Sequence, residues 1–251
     1  MNAFSLIGKS AIVTGGNTGL GQAFALALAK GGANVFVPSL ADDDGSTRTL
    51  IEGAGVGYAF MEADITATGV PKQVIDACAD EFGAIDILIN SAGICPIAEV
   101  LDFKRPQWDA TVAVNLTAAF EMSYEAAQRM IPQRSGKIIN ICSMFSFLGG
   151  RLSPAYSATK HGIAGLTKAY CDELAMHNIQ VNGIAPGYYA TAITANTRGN
   201  PVLNQRVLDH IPANRWGETE DLMGTVVFLA SRASDYVNGH ILCVDGGYLV
   251  R

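Results

Sequence analysis

Tyr156 and Lys160 stand four residues apart in Ser153-Pro154-Ala155-Tyr156-Ser157-Ala158-Thr159-Lys160. On a helix that spacing puts both side chains on one face. A phenol beside an ammonium is a way of making a base: free tyrosine titrates near ~10, and a fixed positive charge within ~4–6 Å favours the phenolate. Taken alone, the same spacing also describes a solvated surface pair. Two other stretches shift the balance. Lys137-Ile138-Ile139-Asn140-Ile141-Cys142 is an apolar run that stops at Ser143, as a buried parallel strand would. Ala11-Ile12-Val13-Thr14 runs into Gly15-Gly16-Asn17-Thr18-Gly19-Leu20-Gly21 and then into a stretch with Leu20, Phe24 and Leu28 at four-residue steps. A bare glycine backbone meeting a helix N-terminus favours a pyrophosphate. Such a turn is often no more than a turn; the strand before it and the helix after it favour a cofactor loop.

Elements able to position these groups follow in order. A second strand is expected over 34–37, ending at Pro38-Ser39-Leu40, with Asp42, Asp43 and Asp44 just beyond, where they suit a helix N-terminus or a solvated loop. A third strand is expected over 58–62, followed by Asp64 and Ile65. Val70, Val74, Cys78 and Phe82 mark a helix, and 85–89 a fourth strand that runs into Asn90-Ser91-Ala92-Gly93. A long helix is expected over about 107–130, with Asn115 inside it, a poor residue for a helix interior. A sixth strand is expected over 180–185, then Pro186-Gly187-Tyr188-Tyr189-Ala190-Thr191, the weakly periodic segment 188–211, a helix over 218–231 and a last strand over 240–244. Alternating strands and helices predict an α/β, doubly wound sheet with helices on both faces, in one domain over 1–251.

With glycine turn, strand-end serine and Tyr-x-x-x-Lys in one chain, the sequence resembles the short-chain dehydrogenase/reductase family over almost its whole length. The resemblance implies a Rossmann-type sheet of seven parallel strands, with cofactor and substrate at their C-terminal ends. It implies that Tyr156 is the acid/base, that Ser143 holds the reacting oxygen, and that Lys160 lowers the Tyr156 pKa and binds the nicotinamide ribose. Asn115 would bend its helix and hold a water beside Lys160. Gly15, Asn17, Thr18, Gly19, Leu20 and Gly21 would cradle the pyrophosphate, and Asp64 and Ile65 would border the adenine. Asn90, Ala92 and Gly93 would line the cofactor, with Ser91 departing from the usual Asn and putting one sheet contact in doubt. Pro186 and Gly187 would back the nicotinamide, with Thr191 bonding its carboxamide. Ser39 stands where NAD enzymes usually carry an acid, and Thr18 where NADP enzymes often carry Arg. No basic clamp is visible, and Asp42–Asp44 disfavour a 2′-phosphate, so NAD is expected ahead of NADP.

Substrate class has to come from the lid, 188–211. It is polar, and it suits a sugar or sugar acid; Ser143, Arg151, Tyr188, Arg198 and His210 are the candidate contacts, with Arg206 a further cation. Four segments, 2–6, 143–147, 211–217 and 235–239, resemble the 2-deoxy-D-gluconate 3-dehydrogenase / 2-dehydro-3-deoxy-D-gluconate 5-dehydrogenase group. Rival readings are a dehydrogenase of a neutral or sulfonated sugar, a 3-oxoacyl-carrier-protein reductase using NADPH, and a non-enzymatic nucleotide-binding regulator. The net charge of −6 argues against a nucleic-acid partner. Five scattered cysteines and four histidines show no metal-ligand spacing, so no metal is expected. The N-terminus lacks the pattern of a signal peptide and no run spans a membrane, which points to the cytoplasm. Resemblance and an apolar tail, Gly247-Tyr248-Leu249-Val250-Arg251, point to a homotetramer.

Overall fold

Seven strands build one sheet in the computed structural model, which describes residues 3–251, Ile193 by its backbone only. Met1 and Asn2, part of the stretches discussed above, lie outside the described residues. The strands are β1 (Ser10–Val13), β2 (Asn34–Ser39), β3 (Tyr58–Glu62), β4 (Ile87–Asn90), β5 (Gly136–Ile141), β6 (Ile179–Pro186) and β7 (Ile241–Val244). Their order is β3-β2-β1-β4-β5-β6-β7 and every pairing is parallel. The helices are α1 (Gly19–Gly31), α2 (Ser46–Glu52), α3 (Val70–Phe82), α4 (Arg105–Val112), α5 (Ala118–Gln133), α6 (Pro154–Leu174), α7 (Ala195–Gly199), α8 (Pro201–His210) and α9 (Glu220–Ala230).

A parallel sheet needs cover on both faces, and the strands supply it by alternation. Ala11, Val13, Ile87, Ile89, Ile139 and Ile141 enter one core with α1 and α9 residues such as Phe24, Leu28, Leu222 and Val226. Their neighbours Ile12, Leu88 and Ile138 point the other way, to Val74 and Cys78 of α3 and Met122 and Met130 of α5. The chain reverses its winding between β1 and β4, which opens a crevice beyond their C-terminal ends. The Gly15–Gly21 turn leaves β1 there, and the 91–94 loop leaves β4 beside it. Thr14 ties the two: its hydroxyl accepts from the Ser91 and Ala92 N–H groups, both at 3.0 Å.

Two regions differ from the periodicity reading. The long helix is interrupted by a π-helical turn, Ala113–Thr117, centred on Asn115. A turn of this kind holds one residue more than an α-turn, and apolar periodicity alone does not mark it. Segment 188–211, read as weakly periodic, holds α7 and α8. Asn200 caps α8 by accepting from the Val202 and Leu203 N–H groups, and Pro201 opens it. Neither helix has a fully buried residue, so the apolar stripe that betrays a core helix is missing.

A buried polar ladder crosses below the crevice. Asn90 Nδ2 donates to Ser123 Oγ at 2.9 Å and to Asn140 Oδ1 at 2.8 Å, and Asn140 Nδ2 donates to Thr167 Oγ1 at 2.9 Å. It joins β4, β5, α5 and α6, the elements that carry the site. Asn90, the residue before Ser91, supplies the sheet-stabilising side-chain contacts here. Asn140→Ala removes two buried hydrogen bonds, each a net contribution of about 0.5–1.5 kcal/mol, although the Asn90 amide keeps Ser123 and the Thr167 hydroxyl keeps the Ile163 carbonyl. We expect a clear fall in thermal midpoint for Asn140→Ala; a melting curve matching the parent would show that the ladder contributes little.

Candidate active site

The glycine turn is shaped from within. Gly15 has φ +63, and a Cβ there would stand 3.3 Å from Ala92 Cα; a Cβ on Gly21 would meet the Gly15 carbonyl oxygen at 2.2 Å. These two residues let α1 and the β4 loop close onto the turn. Gly19 differs: its φ is +52 and open space lies where a Cβ would be. Thr18, the residue before α1, makes no side-chain cap, and the first turn of α1 has no acid. Its N–H groups are therefore available to an anion, and the residues present fit a dinucleotide pyrophosphate. Asn17 is buried, donates to the Ala41 carbonyl at 2.6 Å, and has its Oδ1 without a partner. Leu20 is half-buried at the head of α1.

At the end of β2, Ser39 is half-buried. The three aspartates beyond it are engaged locally. Asp43 accepts from the Thr47 N–H, the Thr47 hydroxyl and the Ser46 hydroxyl, Asp42 from the Asp43 N–H and Asp44 from the Ser46 N–H. Asp43 and Asp44 are thus engaged at the start of α2. Asp64 is likewise turned to Thr66, at 2.6 Å from its hydroxyl, and Ile65 is buried in the core of the α3 face. Gly187 packs so closely on Asp245 that a Cβ would stand 2.6 Å from its Cα. Pro186 ends β6, and Thr191 lies within the lid, just before the short turn Ala192–Thr194.

Ser143, Tyr156 and Lys160 converge where β5 meets α6. Ser143 follows β5 directly after Cys142, and its N–H donates to Ser146 Oγ at 3.2 Å. Ser146 in turn donates to the Lys160 carbonyl at 2.6 Å, which ties the strand end to the helix. Lys160 is buried, with Nζ donating to the Ile141 carbonyl at 2.6 Å and lying 5.4 Å from the centroid of the Tyr156 ring. Burial holds the Lys160 pKa down to about 8, with Cys142 and Cys95 pulling weakly the other way. Burial pushes the Tyr156 phenol up to about 12, and its hydrogen bond with Ser143 opposes that. In the protein alone desolvation of the phenolate thus prevails over the Ser143 hydrogen bond, and the Lys160 ammonium is directed at the Ile141 carbonyl.

Asn115 is buried in the π-turn. Its Oδ1 accepts from the Ile94 N–H at 2.8 Å, and its Nδ2 donates to the Ile94 carbonyl at 2.9 Å and to Thr159 Oγ1 at 3.3 Å. It clamps the β4 loop to α6 one residue from Lys160. Gly93 lies against it: a Cβ would stand 3.4 Å from Asn115 Oδ1. The Asn90 side chain points into the polar ladder, so only its backbone and those of Ala92 and Gly93 follow the crevice.

The proposed substrate contacts are more dispersed. Tyr188 stands edge-on to Trp216 and tilted against Tyr248, each at 5.4 Å between centroids, and His210 lies 4.2 Å from the Tyr248 ring. Arg198 donates to the Thr191 carbonyl at 3.0 Å. Arg151 is highly exposed and stands 4.0 Å from Glu99 at the rim; Arg206 is exposed on α8. Of the tail, Tyr248 packs on its own chain and Val250 is exposed. Sequence reasoning missed Thr14, Ser146, Thr159 and Tyr248. The Ser143-x-x-Ser146 spacing could have signalled a local cap; the others depend on distant pairing.

Among the described residues no helix is long and apolar enough to cross a membrane. Residues 15–249 match the family model described as enoyl-(acyl carrier protein) reductase. The chain is 69% identical to oxidoreductase YgcW of Escherichia coli (strain K12), described as uncharacterized, over 100% of this chain and 96% of that one. It is 47% identical to the 2-dehydro-3-deoxy-D-gluconate 5-dehydrogenase of Bacillus subtilis (strain 168), over 100% of this chain and 98% of the relative. Among solved structures it is similar to a candidate 2-deoxy-D-gluconate 3-dehydrogenase from Agrobacterium tumefaciens with bound NADP, at TM-score 0.93 and 43% identity, covering 100% of both chains.

The two shifted groups give opposite pH dependences. Lys160 titrates near 8 in the folded chain, below its unfolded value of 10.5, so the unfolded state binds more protons between those values. The cost of the buried ammonium is present below pH 8 and relieved as pH rises towards 10.5. Tyr156, raised from 10.0 to about 12, acts the other way: its neutral form is retained in the fold while the unfolded phenol ionises, so stability falls as pH rises above 10. Lys160→Met should therefore lose ground against the parent protein as thermal melts move from pH 7 to pH 10. A constant difference across that range would contradict the buried charge.

Proposed function

The chain belongs to the short-chain dehydrogenase/reductase family, and on that footing we propose that it interconverts an alcohol and a ketone on a sugar acid, with Tyr156 moving the proton. The observation that carries the reading is the convergence of Ser143, Tyr156 and Lys160 beyond β5, next to a glycine turn fit for a dinucleotide. A bound nicotinamide supplies the hydride acceptor in oxidation and the donor in reduction. In oxidation Tyr156 Oη takes the hydroxyl proton as the carbinol C–H hydrogen leaves with its electron pair. Ser143 donates to the oxygen that becomes the carbonyl, and Lys160 supplies positive charge beside the phenol. Because burial alone drives Tyr156 the wrong way for a base, the positive charges of Lys160 and of an oxidised nicotinamide must act together. Asn115, through Thr159 and Ile94, keeps α6 and the β4 loop in register and stands where a proton path to solvent would start.

The sugar-acid class is supported by the sugar-acid dehydrogenase names of the Bacillus and Agrobacterium relatives and by the polar lid. For the cofactor, the NAD preference rested on the lack of a basic clamp at Thr18 and Ser39 and on Asp42–Asp44, of which Asp43 and Asp44 are engaged at the start of α2. Ser39 offers a hydroxyl, compatible with a ribose hydroxyl or a 2′-phosphate. The Agrobacterium relative holds NADP. We therefore read the chain as accepting NADP at least as well as NAD. The test is a screen of aldonic, deoxyaldonic and neutral sugars with both cofactors, in the parent and in Tyr156→Phe. Sugar acids should be turned over, NADP should equal or exceed NAD in kcat/KM, and Tyr156→Phe should lose about 10²–10⁴-fold in kcat while still binding the dinucleotide. Comparable turnover by Tyr156→Phe would end the mechanism, and a tenfold preference for NAD, about 1.4 kcal/mol, would restore the earlier cofactor reading.

Assembly rests on the α5–α6 surface. Leu116, Phe120, Gly162, Leu166 and Ala169 line a shallow apolar groove, and exposed Phe120 stacks with Tyr124 and Tyr170 at its edge. Such a face is costly in water, and a copy of itself across a two-fold axis would cover it. We expect a homotetramer; a monomer by light scattering at micromolar concentration would overturn this.

A further inference from the structure

The tail of the chain is a built turn. Asp245 organises it, accepting from the Gly247 and Leu249 N–H groups at 2.9 Å each, while its carbonyl accepts from the Tyr248 N–H at 3.2 Å. Gly246 and Gly247 take left-handed conformations, φ +64 and +89, and a Cβ on either would press on Ile211, Ala213 or Pro212 just after α8. The base of the turn belongs to the site: Val244, the end of β7, accepts from the Gly187 N–H and from the Tyr189 hydroxyl.

The tip of the turn reaches α8. Helix α8 has no fully buried residue, so burial contributes little to keeping it in place. Its ties are specific. Trp216 Nε1 donates to Asn204 Oδ1 at 2.7 Å in mid-helix. His210 packs on the Tyr248 ring, and Tyr188 packs tilted against the same ring. Arg251 donates to the Asp209 carbonyl at 2.9 Å, placing a cation on one of the last, otherwise unpaired, carbonyls of the helix, where the helix dipole favours it. Two of these ties come from the last four residues.

We propose that the C-terminal turn, residues 245–251, is the clasp of the substrate lid: Tyr248 and Arg251 hold α8 over the crevice and so set substrate affinity. The substrate part of this rests on the sugar-acid reading; the mechanical part does not. Tyr248 is a positioning residue, acting through His210 and Tyr188. Because the tail springs from β7 beside Gly187, the nicotinamide end of the crevice and the lid share one support.

The test uses full-length protein, Tyr248→Ala, the conservative Tyr248→Phe, and a chain lacking only Arg251. Trypsin cleavage after Arg198 and Arg206, followed by mass, reads lid opening without any need for turnover. In Tyr248→Ala and in the chain lacking Arg251 these cuts should come about tenfold faster, the effect of losing one or two weak ties. Tyr248→Phe, which keeps the ring and its contacts with His210 and Tyr188, should stay near the parent. The KM for the sugar acid should rise by a similar factor, with kcat and the dissociation constant of NADP unchanged. Parent-like cleavage in both Tyr248→Ala and the Arg251 deletion overturns the clasp, and so does faster cleavage with an unaltered KM. If no sugar acid is turned over by the parent, the functional reading fails while the cleavage rates still decide the clasp.

Discussion

A buried ammonium sets the terms for the rest of the site. Removing the Lys160 charge from water is expensive, and the fold meets that cost with a carbonyl at the very end of β5. The carbonyl is in the right place only if β5 is in register with β4 and β6 and if α6 returns across the strand end at one height. Ser146 fixes that height by bridging the Ser143 N–H and the Lys160 carbonyl. The polar ladder from Asn90 through Asn140 to Thr167 fixes the same two elements from below. Charge, strand end and helix therefore stand or fall together, and the nucleus of the chemistry is also among the most constrained parts of the fold.

The same desolvation acts on the phenol and the ammonium in opposite senses. It raises one pKa and lowers the other, so in the protein alone both groups lean towards neutrality. On the proposed mechanism, a positive charge bound beside the phenol is what would favour its ionised form.

Much of the architecture was legible because its signals are local. Ala11–Thr14, Ile87–Asn90 and Lys137–Ile141 are apolar runs, and only a sheet covered on both faces accommodates several of them. Gly15, Gly19, Tyr156 and Lys160 were readable as a set because their spacing carries geometry. What escaped depends on pairing across distance or on the absence of burial. Thr14 matters through Ser91 and Ala92, 77 and 78 residues away. That Asp42–Asp44 suit a helix N-terminus was legible, but that Asp43 is tied to both the N–H and the hydroxyl of Thr47 was not. Helices α7 and α8 carry no core stripe, so periodicity had nothing to detect. The direction of the Tyr156 shift needed burial, which residue types do not disclose.

The π-turn at Ala113–Thr117 has a consequence for how the chain can change length. One residue in a helix corresponds to about 100° of rotation, so the extra residue of this turn sets the angular phase between α4 and α5. Deleting a residue here would heal the helix into regular α geometry, an outcome that local propensity favours. It would also swing Asn115 off the Ile94 backbone and turn Phe120 and Tyr124 to a different side of α5. Most insertions and deletions are tolerated in loops; this one, inside a helix, would look harmless by secondary structure and would uncouple the β4 loop from α6. Chain length across 113–117 is thus a constraint of the same kind as residue identity.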